Sequence, residues 1–210
     1  MYTLYYSPGS VSMVTHMILE ELGVAFEAVK VDLAKNAHHE PAYLKINPKA
    51  KVPALGTPDG ILTESVAIVE TLLDRHGDGT LLAKPGTPAR ARTMERIVYL
   101  AADIHPLMNR YFHADDFASD AAMQERIKAR AIEKLVAWFR EQDAQLTTDY
   151  WSGGSAPTAA DFYFAVIARW GRWFDPKATQ MPNIKAFLER MSARPAVQRA
   201  TAREGNTLFS

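Results

Sequence analysis

Three short stretches of this chain carry polar groups where the local backbone lets them act on a ligand. The first is Ser7-Pro8-Gly9-Ser10-Val11-Ser12, between a β-rich run and a helical one. Pro-Gly turns the chain there, and a hydroxyl at the start of the helix can donate to a bound anion, assisted by unpaired N–H groups and the helix dipole. One serine caps the helix, a role that suits Ser12 better than Ser10, and the other stays free. The second stretch is Lys51-Val52-Pro53-Ala54-Leu55. X–Pro bonds adopt cis at small cost, and a cis bond turns the preceding backbone outward, where it pairs with an extended peptide as an added strand would. A trans proline at a strand start is the plainer alternative. In the third, Thr63-Glu64-Ser65, a strand gives way to a helix. The helix start suits a carboxylate and Glu64 suits an ammonium group, so one corner can hold both charges of an amino-acid head group. The alternative is that Thr63 or Ser65 only caps the helix.

Other chemistries find less support. His38-His39-Glu40 and His113 with Asp115 and Asp116 follow no H-E-x-x-H pattern or zinc spacing, so no metal site is expected. No G-x-S-x-G elbow is present for a serine hydrolase. The 210 residues include no cysteine, which removes disulfides, thiolate metal sites and a thiol–disulfide oxidoreductase using its own thiol. The 24 basic and 24 acidic side chains cancel, with −4 over residues 1–80 and +4 over residues 81–210. The small basic excess alternates with acids along helical runs, so neither a nucleic-acid nor a membrane partner is expected. No apolar run approaches the roughly 18–20 residues that span a bilayer. Met1-Tyr2-Thr3-Leu4 lacks the basic and apolar regions of a signal peptide, and a cytoplasmic location follows as the expectation.

The elements that must position these groups follow from periodicity. Tyr2–Tyr6 reads as a strand, and Val14, Met17, Ile18 and Leu22 mark a helix closing at Gly23. Phe26–Leu33 reads as a second strand, Pro41–Ile46 as a short helix, and Lys51–Leu55 and Ile61–Leu62 as strands joined by Pro58-Asp59-Gly60. A helix from Glu64 to His76 completes the order β-α-β-α-β-β-α, a small mixed sheet with helices against it. Residues 81–86 read as a linker between domains at 1–80 and 87–210, the second all-helical. Thr87-Pro88 starts a helix with a kink expected at Pro106, Ile127 to Phe139 marks a second, and Thr158 to Asp161 resembles a capping box. Phe162–Trp170 is apolar almost all round and should be buried; Asn183–Ser192 and Pro195–Arg203 supply two more helices.

Together, Tyr5-Tyr6-Ser7-Pro8-Gly9, Asn47-Pro48-Lys49-Ala50-Lys51-Val52-Pro53-Ala54-Leu55, Leu62-Thr63-Glu64-Ser65 and Ala156-Pro157-Thr158-Ala159-Ala160-Asp161 resemble the glutathione transferases. The likeness spans essentially the whole chain and is greatest to the bacterial beta class and related serine-type members. It implies a thioredoxin-like N-terminal domain followed by an all-α domain, with glutathione as co-substrate and a hydrophobic electrophilic small molecule as second substrate. It also implies a homodimer and a detoxification role. Pro53 would be cis, Val52 would pair through its backbone with the cysteinyl part of glutathione, and Glu64 and Ser65 would hold the γ-glutamyl end. Lys35 falls near a basic residue that meets the glycine carboxylate, and His105 matches a histidine lining the beta-class site; helix packing is the alternative for His105. Beta-class members commonly carry cysteine where this chain has Val11. Serine-type relatives place a hydroxyl at almost the same point, and Ser10 is the nearest match, with Ser12 and Tyr6 in reserve. That hydroxyl would stabilise the glutathione thiolate. Met108, Tyr111, Phe112 and Trp170-Gly171-Arg172-Trp173 are candidates for lining the electrophile cleft between the domains, or for core. A non-catalytic binding protein, and a glutathione-dependent peroxidase, dehalogenase or isomerase, are the competing functions.

Overall fold

Alternating buried and half-exposed positions along Tyr2–Tyr6 form the first strand, β1, in a computed structural model that describes all 210 residues. It is followed by α1 (Ser12–Leu22), β2 (Phe26–Lys30), α2 (Pro41–Leu44), β3 (Ala54–Thr57), β4 (Gly60–Thr63) and α3 (Ser65–His76). The sheet order is β2-β1-β3-β4. The β1–β2 pair is parallel, with Tyr2 opposite Phe26, as a helical crossover requires. The β1–β3 and β3–β4 pairs are antiparallel, with Leu55 opposite both Leu4 and Leu62. This is the mixed sheet and element order read from the sequence. Two strand ends differ. β2 stops at Lys30 rather than Leu33, because after Val31 N–H bonds to Tyr6 O at 2.7 Å the chain coils into short 3₁₀ turns at Leu33–Lys35 and Ala37–His39. β3 starts at Ala54 rather than Lys51, since Pro53 has no N–H to give a ladder.

Buried Leu4 and Tyr6 share one face of β1, and α1 packs on that strand and on α3 through Met13, Val14, Met17, Ile68 and Leu72, all fully or nearly fully buried. Gly23, at φ +64°, ends α1 in the left-handed region that glycine enters without a Cβ clash.

The helical part comprises α4 (Pro88–Tyr99), α5 (His105–Phe112), α6 (Ala121–Gln145), α7 (Ala159–Trp170) and α8 (Pro182–Ser192). Thr87 Oγ1 accepts the Arg90 N–H at 3.3 Å where α4 begins. The disturbance expected at Pro106 takes the form of a π-helical stretch at Leu100–Ile104, which brings Pro106 into the first turn of α5. Asp120 caps α6 by accepting from the N–H groups of Ala122 and Met123 at 3.1 and 3.2 Å. Asp161 Oδ2 accepts the Thr158 N–H at 2.7 Å at the start of α7, and every residue of that helix is buried. No helix is long and apolar enough to cross a membrane.

Packing groups the elements in an order that the chain does not follow. Residues 1–91 and 191–208 form one compact unit, and residues 92–190 with the last two residues form the other. The final helix, α9 (Pro195–Glu204), therefore belongs with the sheet. Arg199 donates to the Glu20 carboxylate at 2.6 Å and to Glu20 O at 2.8 Å, and Arg194 pairs with Glu21. In the same unit Arg90 donates to both Asp74 and Glu70 at 2.7 Å, fixing the start of α4 on α3.

Candidate active site

The turn between β1 and α1 is tied by a set of short hydrogen bonds. Gly9 takes φ +71°, the conformation that lets the chain reverse before the helix. Ser12 Oγ is fully buried, accepting the Ser7 N–H at 3.1 Å and lying 3.2 Å from Ser7 O. Ser10 Oγ lies 2.8 Å from Ser12 Oγ and accepts the Ser12 N–H at 3.3 Å. Ser12 thus turns back to pin Ser7 instead of capping α1, whose N-cap is Val11 with no side-chain bond. Ser10 is half-buried and is the hydroxyl at the mouth of the turn.

Tyr6 sits elsewhere. The strand's alternation sends its ring onto His16 of α1, centroids 5.3 Å apart. Burial, and secondarily the Glu204 carboxylate, raise its phenol pKa above the usual value, so it is a weaker proton donor than an ordinary tyrosine.

Behind the turn stands a carboxylate that periodicity did not reveal. Glu204, at the end of α9, is fully buried in its side chain. Its Oε2 accepts the Gly9 N–H at 2.8 Å and the Asn206 amide at 3.2 Å, and Oε1 lies 2.9 Å from His16 Nδ1. The C-terminal helix therefore fixes the backbone immediately before Ser10.

The loop ahead of β3 is clamped in a similar way. Lys51 O accepts from Tyr43 Oη at 2.6 Å and from Asn47 Nδ2 at 2.7 Å. Burial pushes the Tyr43 phenol up to about 12, so it stays a donor. The Val52–Pro53 bond is cis, and Pro53 is buried. Neither the N–H nor the C=O of Val52 bonds within the chain, which leaves one strand-like backbone pair open beside the sheet. At the β4–α3 junction, Glu64 takes φ +73° and ψ 116°, where a side chain is strained by roughly 1–3 kcal/mol. Its carboxylate accepts from Lys49 Nζ at 2.6 Å, and Lys49 also donates to Thr63 Oγ1 at 2.9 Å. Ser65 opens α3, whose N-cap residue, Glu64, makes no side-chain cap bond.

Lys35 is on an exposed 3₁₀ turn, its ammonium 3.6 Å from Asp32. His38 and His39 stack at 4.1 Å, and nowhere do three His, Asp or Glu side chains converge. In the second unit, His105 packs on Trp170 at 5.0 Å and lies 3.5 Å from Tyr163 Oη. Tyr111, Phe112, Trp170 and Phe174 continue that aromatic cluster, whereas Met108 is fully buried core. Arg172 lies 4.6 Å from the Trp173 ring, and Trp173 itself is exposed.

What the arrangement offers is an open backbone pair, a carboxylate held in a strained conformation, and a hydroxyl on a rigid turn. These are the parts needed to hold a peptide-like molecule and favour an anion on it. Residues 1–73 match the family described as Glutathione S-transferase, N-terminal domain, and residues 100–195 the one described as Glutathione S-transferase, C-terminal domain. The chain is 34% identical over 204 residues to a glutathione S-transferase of Escherichia coli O157:H7, spanning 96% of this chain and 98% of that protein. It is 33% identical over 200 residues to a maleylacetoacetate isomerase of Rhizobium meliloti, spanning 93% and 92%. A crystal structure of a glutathione transferase homolog from Sulfitobacter, with bound glutathione, aligns with a TM-score of 0.86 at 29% identity over 97% of this chain and 98% of that one.

Proposed function

The chain belongs to the glutathione S-transferase family, and on that premise we propose that it activates the thiol of glutathione for attack on a hydrophobic electrophile, with Ser10 as the thiolate's hydrogen-bond donor. The observation that carries this assignment is the hydroxyl pair. Ser12 Oγ already accepts the Ser7 N–H and has one proton to give. Ser10 Oγ, at 2.8 Å, is a nearer acceptor than Ser7 O at 3.2 Å. Ser10 also accepts the Ser12 N–H, so its own proton is directed away from both. The chain of donors then runs from Ser7 N–H through Ser12 to Ser10, each bond polarising the next.

The open N–H and C=O of Val52 suit the cysteinyl backbone of glutathione, Glu64 and Ser65 suit the γ-glutamyl end, and Lys35 the glycine carboxylate. A thiol with a reference pKa of about 8.5 is only a few per cent ionised near pH 7, and the thiolate is the nucleophile. One hydrogen bond to a charged group contributes roughly 1.5–3 kcal/mol, or about 1–2 pKa units. That raises the thiolate to between roughly a quarter and three quarters, and the N-terminus of α1 acts in the same direction. Proton removal then needs no dedicated base.

Titration with glutathione, followed by thiolate absorbance against pH, tests the reading: binding with a lowered thiol pKa is expected. No binding at millimolar glutathione overturns it. Binding without a lowered pKa favours a non-catalytic ligand carrier. The likeness to the maleylacetoacetate isomerase supports a second reading, a glutathione-dependent isomerase using the same thiolate, which assays with both substrate types distinguish. The functional domains are proposed at 1–80 and 87–210 with a linker at 81–86. His105 is proposed, on the family resemblance, as a further glutathione-binding residue. A cytoplasmic homodimer with a detoxifying role completes the proposal; light scattering tests the dimer.

A further inference from the structure

We infer that Lys49 is a specificity residue for the γ-glutamyl head group, pairing with its α-carboxylate while Glu64 takes its α-ammonium. This rests on the glutathione reading above and adds to it a residue outside the groups already assigned. An α-amino acid presents a cation and an anion side by side. Lys49 Nζ and Glu64 Oε1, 2.6 Å apart, present the opposite signs side by side. Donor counting shows that both have capacity left. The Lys49 ammonium has three N–H donors and uses two, on Glu64 Oε1 and Thr63 Oγ1. Glu64 uses one of its two oxygens, so Oε2 is open for a second cation. A head group docked against the pair makes each charge the neighbour of opposite ones. No existing bond need break.

Exposure favours the same conclusion. The side chains of Lys49 and Glu64 are 54% and 69% exposed, and a pair so wetted contributes little to folding. Lys49 is thus free to serve a ligand at little cost to stability. Alone among the carboxylates of the first unit, Glu64 is also held at a positive φ, which sets the direction from which it meets a cation.

The test uses the full-length protein, calorimetry and three ligands: glutathione, 4-aminobutyryl-cysteinyl-glycine, which lacks the α-carboxylate, and glutaryl-cysteinyl-glycine, which lacks the α-ammonium. Lys49→Met is expected to weaken glutathione and the glutaryl peptide by about two- to fivefold, less at high salt, and to leave the aminobutyryl peptide unchanged. Lys49→Arg should restore most of the loss. Equal weakening of all three ligands, or no change in any, overturns the inference. Tighter glutathione binding by Lys49→Met also overturns it, by making Lys49 a competitor for Glu64. If the unmodified protein binds no glutathione, the functional reading itself fails, an outcome separate from these.

Discussion

Replacing Ser10 by alanine removes one hydroxyl and should change the sign of its effect with pH. The lost bond raises the bound thiol's pKa by about 1–2 units, back toward roughly 8.5. At pH 7 the thiolate fraction then falls about 8- to 25-fold. A more basic thiolate is also a better nucleophile: with a Brønsted coefficient of about 0.4–0.5, it recovers roughly three- to eightfold. The net loss in single-turnover rate at pH 7 is therefore only about threefold. Above about pH 9 both proteins are ionised, and the variant's chemical step should be faster than the wild type's by the recovered factor. Affinity for glutathione at pH 5–6, where the thiol is protonated in both, should stay within about twofold. At alkaline pH the unmodified protein should bind more tightly, an advantage lost as pH falls through the bound thiol's lowered pKa.

Stopped-flow conjugation across pH, with thiolate absorbance on the same samples, checks each step. A uniform loss at every pH with an unmoved thiol pKa would mean that Ser10 only shapes the turn, and the reasoning fails. Ser12→Ala is the internal control. It leaves the buried Ser7 N–H without its acceptor and Ser10 without its hydroxyl neighbour, and so should lose more stability than Ser10→Ala, with a smaller pKa shift. If Ser12→Ala or Tyr6→Phe gives the larger shift, the donor is that residue.

Glu204→Ala removes an acceptor from the Gly9 N–H and a hydrogen-bond partner from buried His16, so thermal melts should show a loss of about 2–6 kcal/mol, large against a typical total of about 5–15; a change of about 1 °C would show the contacts to be dispensable. Tyr43 is raised from 10.0 to about 12 by burial, so the stability it lends is complete below pH 10 and lost as pH rises toward 12; Tyr43→Phe should flatten that part of the alkaline unfolding curve, and an unchanged slope counts against the assignment. Glu64→Gly relieves a strain of about 1–3 kcal/mol, partly offset by glycine's entropy, while deleting the proposed ammonium acceptor; the melting temperature should not fall, and glutathione affinity should drop about tenfold or more. A fall in both measurements would make Glu64 structural.

The order of elements was legible because it depends on local signals. Tyr2–Tyr6 alternates, Gly23 stops a helix, and the all-round apolar run at Phe162–Trp170 fits only a buried helix. Local reading misplaced the strand ends, where a missing proline N–H or a pair of 3₁₀ turns outweighed β propensity. Of the proposed site, the motif residues Ser10, Val52, Glu64 and Ser65 were legible as candidates, but not the groups that hold them. Glu204 meets Gly9 across 195 positions and His16 across 188, separations at which periodicity carries no information. Tyr43 and Asn47 were closer to hand, yet they clamp a backbone carbonyl, which leaves no trace in residue type. Ser12 suits the cap of α1 by its type and position; the buried Ser7 N–H needed an acceptor, and satisfying it outweighed the cap.

Val11 is 7% exposed, so the position where beta-class members commonly carry cysteine is turned into the core here. The side chain that remains at the mouth of the turn, Ser10, is a hydroxyl, which can stabilise a thiolate but cannot form a disulfide with it. With no cysteine in the chain, any sulfur–sulfur bond made at this site must lie between glutathione and its partner molecule, leaving the protein covalently unchanged. On the proposed reading the donor is never consumed and has to be held accurately through every turnover. Two constraints on the turn, the Ser12 hydroxyl against Ser7 and Ser10 and the Glu204 carboxylate on the Gly9 N–H, supply that rigidity.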